Sequence, residues 1–396
     1  MKNISKIYGN KVILKNINLK INKGEFITVI GSSGCGKTTF LKLINGLIEP
    51  DDGKVYVEGN DISKVDKIAL RRKIGYVIQE IGLFPHMTVR KNISYVPNLI
   101  KKENISVIHC NTPIGGALGR LCGKKTKHIK IFYTAHGFHF YKGAPLVNNC
   151  IYKPMEKYLA HYSDVIITMN EEDYHVAKTM KLRKSGHVYK VNGVGINTTD
   201  YQNININKED YRNWLSLEND DFVCIAMGDL IKRKNYEMAL RGIALCKNPK
   251  IHYLICGNGP EKNNLQDLAK NLGIREQVHF LGYRTDIKEL LAISDCFLFT
   301  SLQEGLPRSL MEAMASGLPC IISDIRGNRD LIINNVNGYL IKSIEDCTQK
   351  LEAIISDKQL AKKMQVKNLE VIKKYDFLKV RDQINEIYKT ELLGNE

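Results

Sequence analysis

Apolar positions along the chain fall into two kinds of pattern. Short solid runs recur at 106–109, 129–133, 165–168, 222–227, 252–256, 278–281, 296–300 and 320–323. Between them lie longer stretches with apolar residues three and four apart, as at 236–246, 265–272 and 308–316. Short solid runs suit buried strands, and the wider spacing suits amphipathic helices. Their alternation predicts βα units, hence parallel sheets covered by helices. The first hundred residues read differently. Val12, Leu14, Ile17, Leu19 and Ile21 approximate an alternation, 26–30 is a short apolar run, and 37–47 has helical spacing through Phe40, Leu41, Leu43, Ile44 and Leu47. Further strands are expected near 54–57 and 74–78. Pro97-Asn98 is a turn signal, and the polar run Lys101-Lys102-Glu103-Asn104 marks a change of character. Asn192-Gly193-Val194-Gly195 reads as a hinge between two βα units, and the last fifty residues as mostly helical and charged.

A length of 396 residues allows two or three domains. Hydrophobic residues at 43% and charged residues at 25% describe a globular chain and exclude disorder. No apolar run approaches the roughly 18 residues that span a bilayer. The polar first ten residues do not resemble a secretory leader. Ten cysteines without a C-x-x-C pair argue against a disulfide scaffold or a zinc site, and for a reducing cytosol. The net charge is +16, and it is unevenly placed: residues 1–100 and 101–200 each carry +8, and residues 201–396 are neutral. A basic first half suits anionic partners such as nucleotide phosphates, lipid diphosphates or a membrane surface. A Lys-rich soluble composition explains the same numbers. No nucleic-acid-binding motif accompanies the charge.

Gly31-Ser32-Ser33-Gly34-Cys35-Gly36-Lys37-Thr38 fits G-x-x-x-x-G-K-[ST] in full, after an apolar run and before a helical pattern. Glycines let backbone N–H groups turn toward a phosphate, and the helix N-terminus adds its dipole. Lys37 then reaches the β/γ-phosphates, and Thr38 offers a hydroxyl to Mg²⁺. Over roughly residues 1–98 the sequence resembles the ATPase subunits of ABC transporters, most closely osmoprotectant importers. The resemblance implies a Mg-ATP site of Gly31, Ser32, Gly34, Cys35, Gly36, Lys37, Thr38 and Thr39, with Tyr8 stacking on adenine. It further implies Gln79 beside Mg²⁺ and the transporter, and contact with an ABC permease. The resemblance then stops. No signature loop, no second carboxylate motif and no switch histidine follow, so ATP hydrolysis by this chain alone is not expected.

Beyond residue 105 a second set of motifs appears. Glu304-Gly305-Leu306-Pro307-Arg308-Ser309-Leu310-Met311-Glu312 places two carboxylates eight residues apart. Pro307 suits a first helical position, leaving the N–H groups of Ser309 and Leu310 free for a phosphate oxygen. Gly228-Asp229-Leu230-Ile231-Lys232-Arg233-Lys234-Asn235, Gly257-Asn258-Gly259-Pro260 and Gly282-Tyr283-Arg284 each follow an apolar run. Thr134-Ala135-His136-Gly137-Phe138-His139 does the same. From about 105 to the end the chain resembles family 4 glycosyltransferases of the GT-B fold, of the exopolysaccharide and capsule subgroup. The resemblance implies that Glu304 holds donor-sugar hydroxyls and that Glu312 receives the ribose. It implies that Lys234 clamps the donor diphosphate. Asp229 stands where the family has Arg, and Arg233 is the candidate replacement. Gly257, Gly259 and Arg284 fall near the donor nucleotide. His136 matches the active-site histidine, with His139 the competitor three residues on.

The same resemblance implies retention of anomeric configuration, no metal or cofactor for transfer, and a lipid-linked diphosphate or glycan acceptor. Cys110-Asn111-Thr112-Pro113-Ile114-Gly115-Gly116 resembles an acceptor-side loop. Lys124, Lys125, Lys127 and Lys130 suit either an anionic membrane, at about 1 kcal/mol each, or a solvated helix face. The reading is therefore an α/β chain. A partial P-loop NTPase lobe (1–98) precedes a GT-B-like pair of Rossmann-type domains. The first of the pair is a truncated acceptor side (99–195), the second a donor side (196–380), and a C-terminal helix (381–396) follows. A truncated acceptor sheet is expected to expose apolar edges. Glu304, Glu312 and Lys234 are expected to converge on one crevice. Three functions stay open: a cytoplasmic or peripherally membrane-bound glycosyltransferase, an ATP-binding fragment, and a non-functional fusion.

Overall fold

The solid apolar runs at 165–168, 222–227 and 320–323 become strands over those same residues in the computed structural model. The structure describes residues 1–9, 11–22, 36–74, 95, 97–98, 100, 102, 105–124, 128–202 and 204–393. The chain divides into two units, Met1–Asn92 and Ile93–Glu396.

In the first unit β1 (Lys2–Tyr8) pairs antiparallel with β2 (Lys11–Ile17) and with β3 (Asp52–Lys54). Register shifts in both pairings break the strict alternation of the sequence pattern, so Leu14 is buried and Val12 exposed. A two-residue-strand hairpin, β4 (Tyr56–Val57) with β5 (Asn60–Asp61), follows. Helix α1 (Lys37–Ile44) puts Phe40 and Leu43 against Ile4, Leu14, Val55 and Ile62. Helix α2 (Lys67–Lys73) is capped by the Asp66 carboxylate, which accepts from the Ile68 N–H. The strands expected at 26–30 and 75–78 lie outside the described residues.

The second unit holds two parallel sheets. Among the described residues the first has the order β6 (Val107–Asn111), β7 (Lys130–Ala135), β8 (Val165–Thr168), β9 (His187–Lys190). Helices α3 (Pro113–Gly123), α4 (Leu146–Ala160) and α5 (Glu171–Lys178) connect them. Edge strand β6, paired on one side only with β7, has Val107–His109 half-buried and Cys110 buried, and Ile100 packs on Ile129 and Ile131 beside Ile108. The expected apolar exposure falls instead on α3, at Ile114, Leu118 and Leu121.

The second sheet has six parallel strands in the order β12 (Val278–Gly282), β11 (Ile251–Cys256), β10 (Phe222–Met227), β13 (Cys296–Phe299), β14 (Cys320–Ser323), β15 (Gly338–Ile341). One face packs on α9 (Ile287–Ile293) and α10 (Arg308–Ala315), the other on α7 (Tyr236–Leu245), α8 (Lys262–Asn271) and α12 (Ile344–Ser356). The strand order reverses between β10 and β13. Loops leaving those two strands depart to opposite faces and open a crevice between them, where ligands of open α/β sheets bind.

The chain crosses between the two lobes twice. The segment at 192–196 leads out, with Gly193 and Gly195 in the left-handed region. Residues 375–377 lead back: Ile196 N–H donates to the Tyr375 carbonyl at 3.1 Å, and Phe377 N–H to the Ile196 carbonyl at 2.8 Å. Helix α14 (Phe377–Leu393) then lies on the first sheet, with Ile387 packed on Phe132, Val165 and Ile167. Its Glu391 carboxylate accepts from Tyr189 and pairs with His187. The last helix thus completes the lobe built earliest in this unit.

Candidate functional site

Glu304 and Lys234 come from loops on either side of the switch point. After β10 a short turn, Lys232–Lys234, brings Lys234 back over the sheet end, where its Nζ lies 4.7 Å from the Phe299 ring centre. Asn235 takes a left-handed conformation and starts α7, and Thr300 Oγ1 donates to its carbonyl at 2.7 Å. After β13, Ser301 and Glu304 form the facing loop. Glu304 Oε1 accepts from Lys234 Nζ at 2.8 Å, Ser301 Oγ at 2.8 Å and Arg233 Nη1 at 3.2 Å. Arg233 also donates to the Gln303 carbonyl. Two cations share one carboxylate at the sheet end. An entering diphosphate can take over the hydrogen bonds now made by Glu304.

The N-terminus of α10 borders this loop. Pro307 is the residue before the helix rather than its first member, and no side chain caps the free N–H groups. Ser309 and Leu310 therefore sit in the first turn, as the sequence indicates. Glu312 does not join Glu304 and Lys234. It lies four residues after Arg308 on the same helix face, accepts from Arg308 Nε at 2.9 Å and receives Tyr201 O–H at 2.9 Å. Burial, with the Glu312 carboxylate, pushes the Tyr201 phenol up. The helical repeat separates the carboxylates into two neighbouring clusters.

Gly257 N–H donates to the Gly282 carbonyl and Gly228 N–H to the Cys256 carbonyl. A Cβ at Gly257 would fall 1.9 Å from the Gly228 oxygen and one at Gly259 2.3 Å from the Leu230 oxygen, so only glycine lets the loops after β10 and β11 close. Arg284 is held by Asp286 and stacks at 4.9 Å on Trp214, beside Tyr211, in an open cavity with Asn207 and Asp210. Burial and the Asp286 contact push Tyr211 up to about 12.

The other lobe closes on Glu304 through His136. A Cβ on Gly305 would lie 1.8 Å from the His136 carbonyl oxygen, so the two loops touch backbone to backbone. The His136 ring is 3.3 Å from Asn111 Oδ1 at the end of β6, and burial holds its pKa below the usual imidazole value. His139 turns away to α4, 5.3 Å from Tyr152. The structure therefore brings His136, and not His139, to the Glu304 loop. Behind it His109 bonds Thr134 Oγ1 at 2.7 Å and Tyr388 of α14; burial, then the His136 charge, lower its pKa.

Sequence reasoning missed the group that joins the lobes. Arg326 donates to Asp173 Oδ1 at 2.7 Å, the Phe138 carbonyl at 2.8 Å and the Glu304 carbonyl at 3.4 Å. Asp173 Oδ2 accepts from Phe138 N–H and Asn170 Nδ2, and Asn170 Nδ2 also reaches the Gly305 carbonyl at 3.1 Å. Arg326 and Asp173 are 153 positions apart, and neither stands in a recognisable motif.

The lysine patch is corrected. Lys130 belongs to strand β7 and reaches Glu391 at 3.4 Å, so it shares no helix face with Lys124, which follows α3 and lies over the Tyr162 ring. Lys125 and Lys127 lie outside the described residues. In the first unit, Gly31, Ser32, Gly34, Cys35 and Gln79 also lie outside them. Gly36 precedes α1 in the left-handed region, Thr38 and Thr39 follow in its first turn, and Tyr8 is half-exposed with Lys6 over its ring.

The comparisons with known proteins divide the chain in the same way. The family model described as glycosyl transferases group 1 matches residues 207–370. The Bacillus subtilis protein named glycosyltransferase EpsD is 34% identical over 297 residues, covering 73% of this chain and 78% of that relative. The chain belongs to the group 1 glycosyltransferases. This glycosyltransferase is also 28% identical over 331 residues, 79% of its length and 85% of the relative's, to an Escherichia coli enzyme. That enzyme is named as a UDP-Gal:alpha-D-GlcNAc-diphosphoundecaprenol alpha-1,3-galactosyltransferase. The crystal structure of Anabaena HepE in complex with UDP and glucose shares its fold, with a TM-score of 0.67 at 19% identity over 79% of this chain and 84% of the other. A family model described as ABC transporter matches residues 14–139. The Bacillus subtilis choline transport ATP-binding protein is 61% identical over 102 residues. Those are 26% of this glycosyltransferase and 27% of the relative, so the chain spans about a quarter of that ATPase. The chain joins an ABC-type P-loop segment to a GT-B glycosyltransferase.

Proposed function

We propose that the protein transfers a hexose or N-acetylhexosamine from a UDP-sugar to a lipid-linked diphosphate or glycan acceptor, with retention at the anomeric carbon. The observation that carries the reading is the Glu304–Lys234–Arg233 cluster at the strand-order reversal, closed by His136 of the facing lobe. The names of the Escherichia coli relative and of the Anabaena complex support a UDP-sugar donor. In this reading Lys234, Arg233 and the N–H groups of Ser309 and Leu310 take the diphosphate. Glu304 and His136 hold the sugar, and Glu312 with Tyr201 receives the ribose. The bond from the anomeric carbon to the phosphate oxygen breaks while the acceptor oxygen bonds from the same face. The acceptor's proton passes to the departing phosphate. Stabilising the developing negative charge on UDP is the main catalytic term. In this reading the cations Lys234 and Arg233 neutralise the diphosphate, the part a metal would otherwise play.

Calorimetry with UDP, followed by transfer of radiolabelled sugar to an undecaprenyl diphosphate-linked acceptor, tests the proposal. Glu304→Ala is expected to abolish transfer and leave UDP affinity within about threefold. Absence of UDP binding by the wild-type chain overturns it. The 61% identity of the first hundred residues to a transport ATPase favours a second role, the holding of Mg-ATP without hydrolysis by a segment of permease-contacting type. ATP binding lost in Lys37→Ala is the expected result; binding unaffected by that substitution refutes it.

A further inference from the structure

Between Asn104 and Ser163 the sequence carries one carboxylate, Glu156, against seven lysines and Arg120. That carboxylate is not on the surface. Arg120, fully buried and with Tyr133 under its guanidinium at 3.9 Å, donates to Glu156 Oε2 at 2.8 Å and Oε1 at 3.1 Å. Helix α4 is thereby anchored through Glu156, Leu159 and Ala160 near its C-terminal end, and its other residues face outward or are half-covered. Leu146 is 82% exposed, Val147 63% and Ile151 56%, with Tyr158 continuing the stripe one to two turns on. Lys153 and Lys157 flank that stripe, Lys142 precedes it, and Lys124 lies over Tyr162, which bonds Tyr158 at 3.0 Å. An exposed apolar arc with lysines beside it is the design of a helix that lies in a bilayer interface. Within residues 105–163 the exposed charges are cationic, with Glu172 from beyond that stretch accepting from the Lys142 N–H at 3.4 Å, and that balance selects an anionic interface. The same helix touches the site: Asn148 Nδ2 donates to the His139 carbonyl, three residues from His136.

We infer that α4 seats this lobe on an anionic membrane surface through Leu146, Val147 and Ile151, with Lys142, Lys153 and Lys157 at the headgroups. The His136 side of the crevice then opens at the bilayer, where a lipid-linked acceptor presents its diphosphate. The inference rests on the proposed function for the acceptor alone, because membrane binding is read without donor or acceptor.

The test is co-sedimentation of the full chain with vesicles of phosphatidylcholine containing a quarter phosphatidylglycerol, and with phosphatidylcholine alone. Binding to the acidic vesicles is expected, weaker at high salt. Leu146→Ser/Val147→Ser/Ile151→Ser is expected to lower the partition coefficient at least tenfold. Lys142→Glu/Lys153→Glu/Lys157→Glu is expected to do the same, and both variants should keep the wild-type melting temperature and UDP affinity. Equal binding of wild type and the serine variant overturns the inference, as does no preference for acidic vesicles or no vesicle binding. So does a wild-type dimer that the serine variant dissolves, since a second copy would then cover the face. Loss of UDP affinity in the wild-type chain would instead strike the proposed function.

Discussion

Arg326 ties the two lobes together through Asp173 and the Phe138 carbonyl. Its side chain is 3% exposed and that of Asp173 2%, so neither charge can be hydrated if the other is removed. Burial pushes the Asp173 carboxyl above its usual range, against the opposing pull of Arg326 and of the Asn170 and Phe138 donors. In Arg326→Met the carboxylate loses its cation, and the Phe138 carbonyl loses a donor. Removing one partner of a buried pair costs about 3–5 kcal/mol, because the other charge stays buried and uncompensated. Replacing both by neutral groups costs less. Arg326→Met/Asp173→Asn should therefore recover about 2 kcal/mol of the single-variant loss, a coupling typical of directly bonded residues. Urea titration followed by circular dichroism, with wild type, both single variants and the double variant, measures the cycle. A single-variant loss below about 1 kcal/mol would refute the reasoning. Strict additivity of the two changes would refute it as well.

Gly305→Ala places a Cβ where the His136 carbonyl oxygen now sits, 1.8 Å away, so the loops must part. Lost transfer with a native-like circular dichroism spectrum is expected. Lys234→Met removes a charge-assisted hydrogen bond of about 1.5–3 kcal/mol to the diphosphate, so the UDP dissociation constant should rise roughly 10- to 150-fold by calorimetry. His279, 2.9 Å from His252, is lowered to about 4 by burial, then by His252 and Arg275. Its depressed folded-state value means the unfolded chain binds the proton first. The stability it contributes is full above about pH 6.5 and is lost as pH falls toward 4. The loss is on the order of 1.5 kcal/mol once solvent screening of the half-buried ring is allowed for. The urea midpoint of His279→Gln should drop less than that of wild type between pH 7 and pH 4.5; parallel curves would count against the assignment.

Strands 165–168, 222–227 and 320–323 were legible because burial on both faces leaves solid apolar runs that no other element produces at that length. The strands His187–Lys190 and Gly338–Ile341 were not, since each mixes polar or glycine positions into an edge environment, where a solid apolar run is not required. Helix α4 was hidden by Pro154, a break signal that the helix tolerates on its exposed side. Glu304 and Lys234 were readable from motifs, and their meeting follows from strand order. The Arg326–Asp173 pair, the Tyr201–Glu312 contact and the return of α14 are long-range pairings. Local periodicity contains no trace of a partner more than a hundred residues away, so these needed coordinates.

The seat of α14 sets an order of events during synthesis. Strand β9 leaves the ribosome with Lys190, yet the cover for its sheet, Ile387, is made 197 residues later. At about 5–20 residues per second that delay is on the order of 10–40 s. For that interval Phe132 and Ile167 have no lid, so the nascent lobe is a natural client for a holding chaperone.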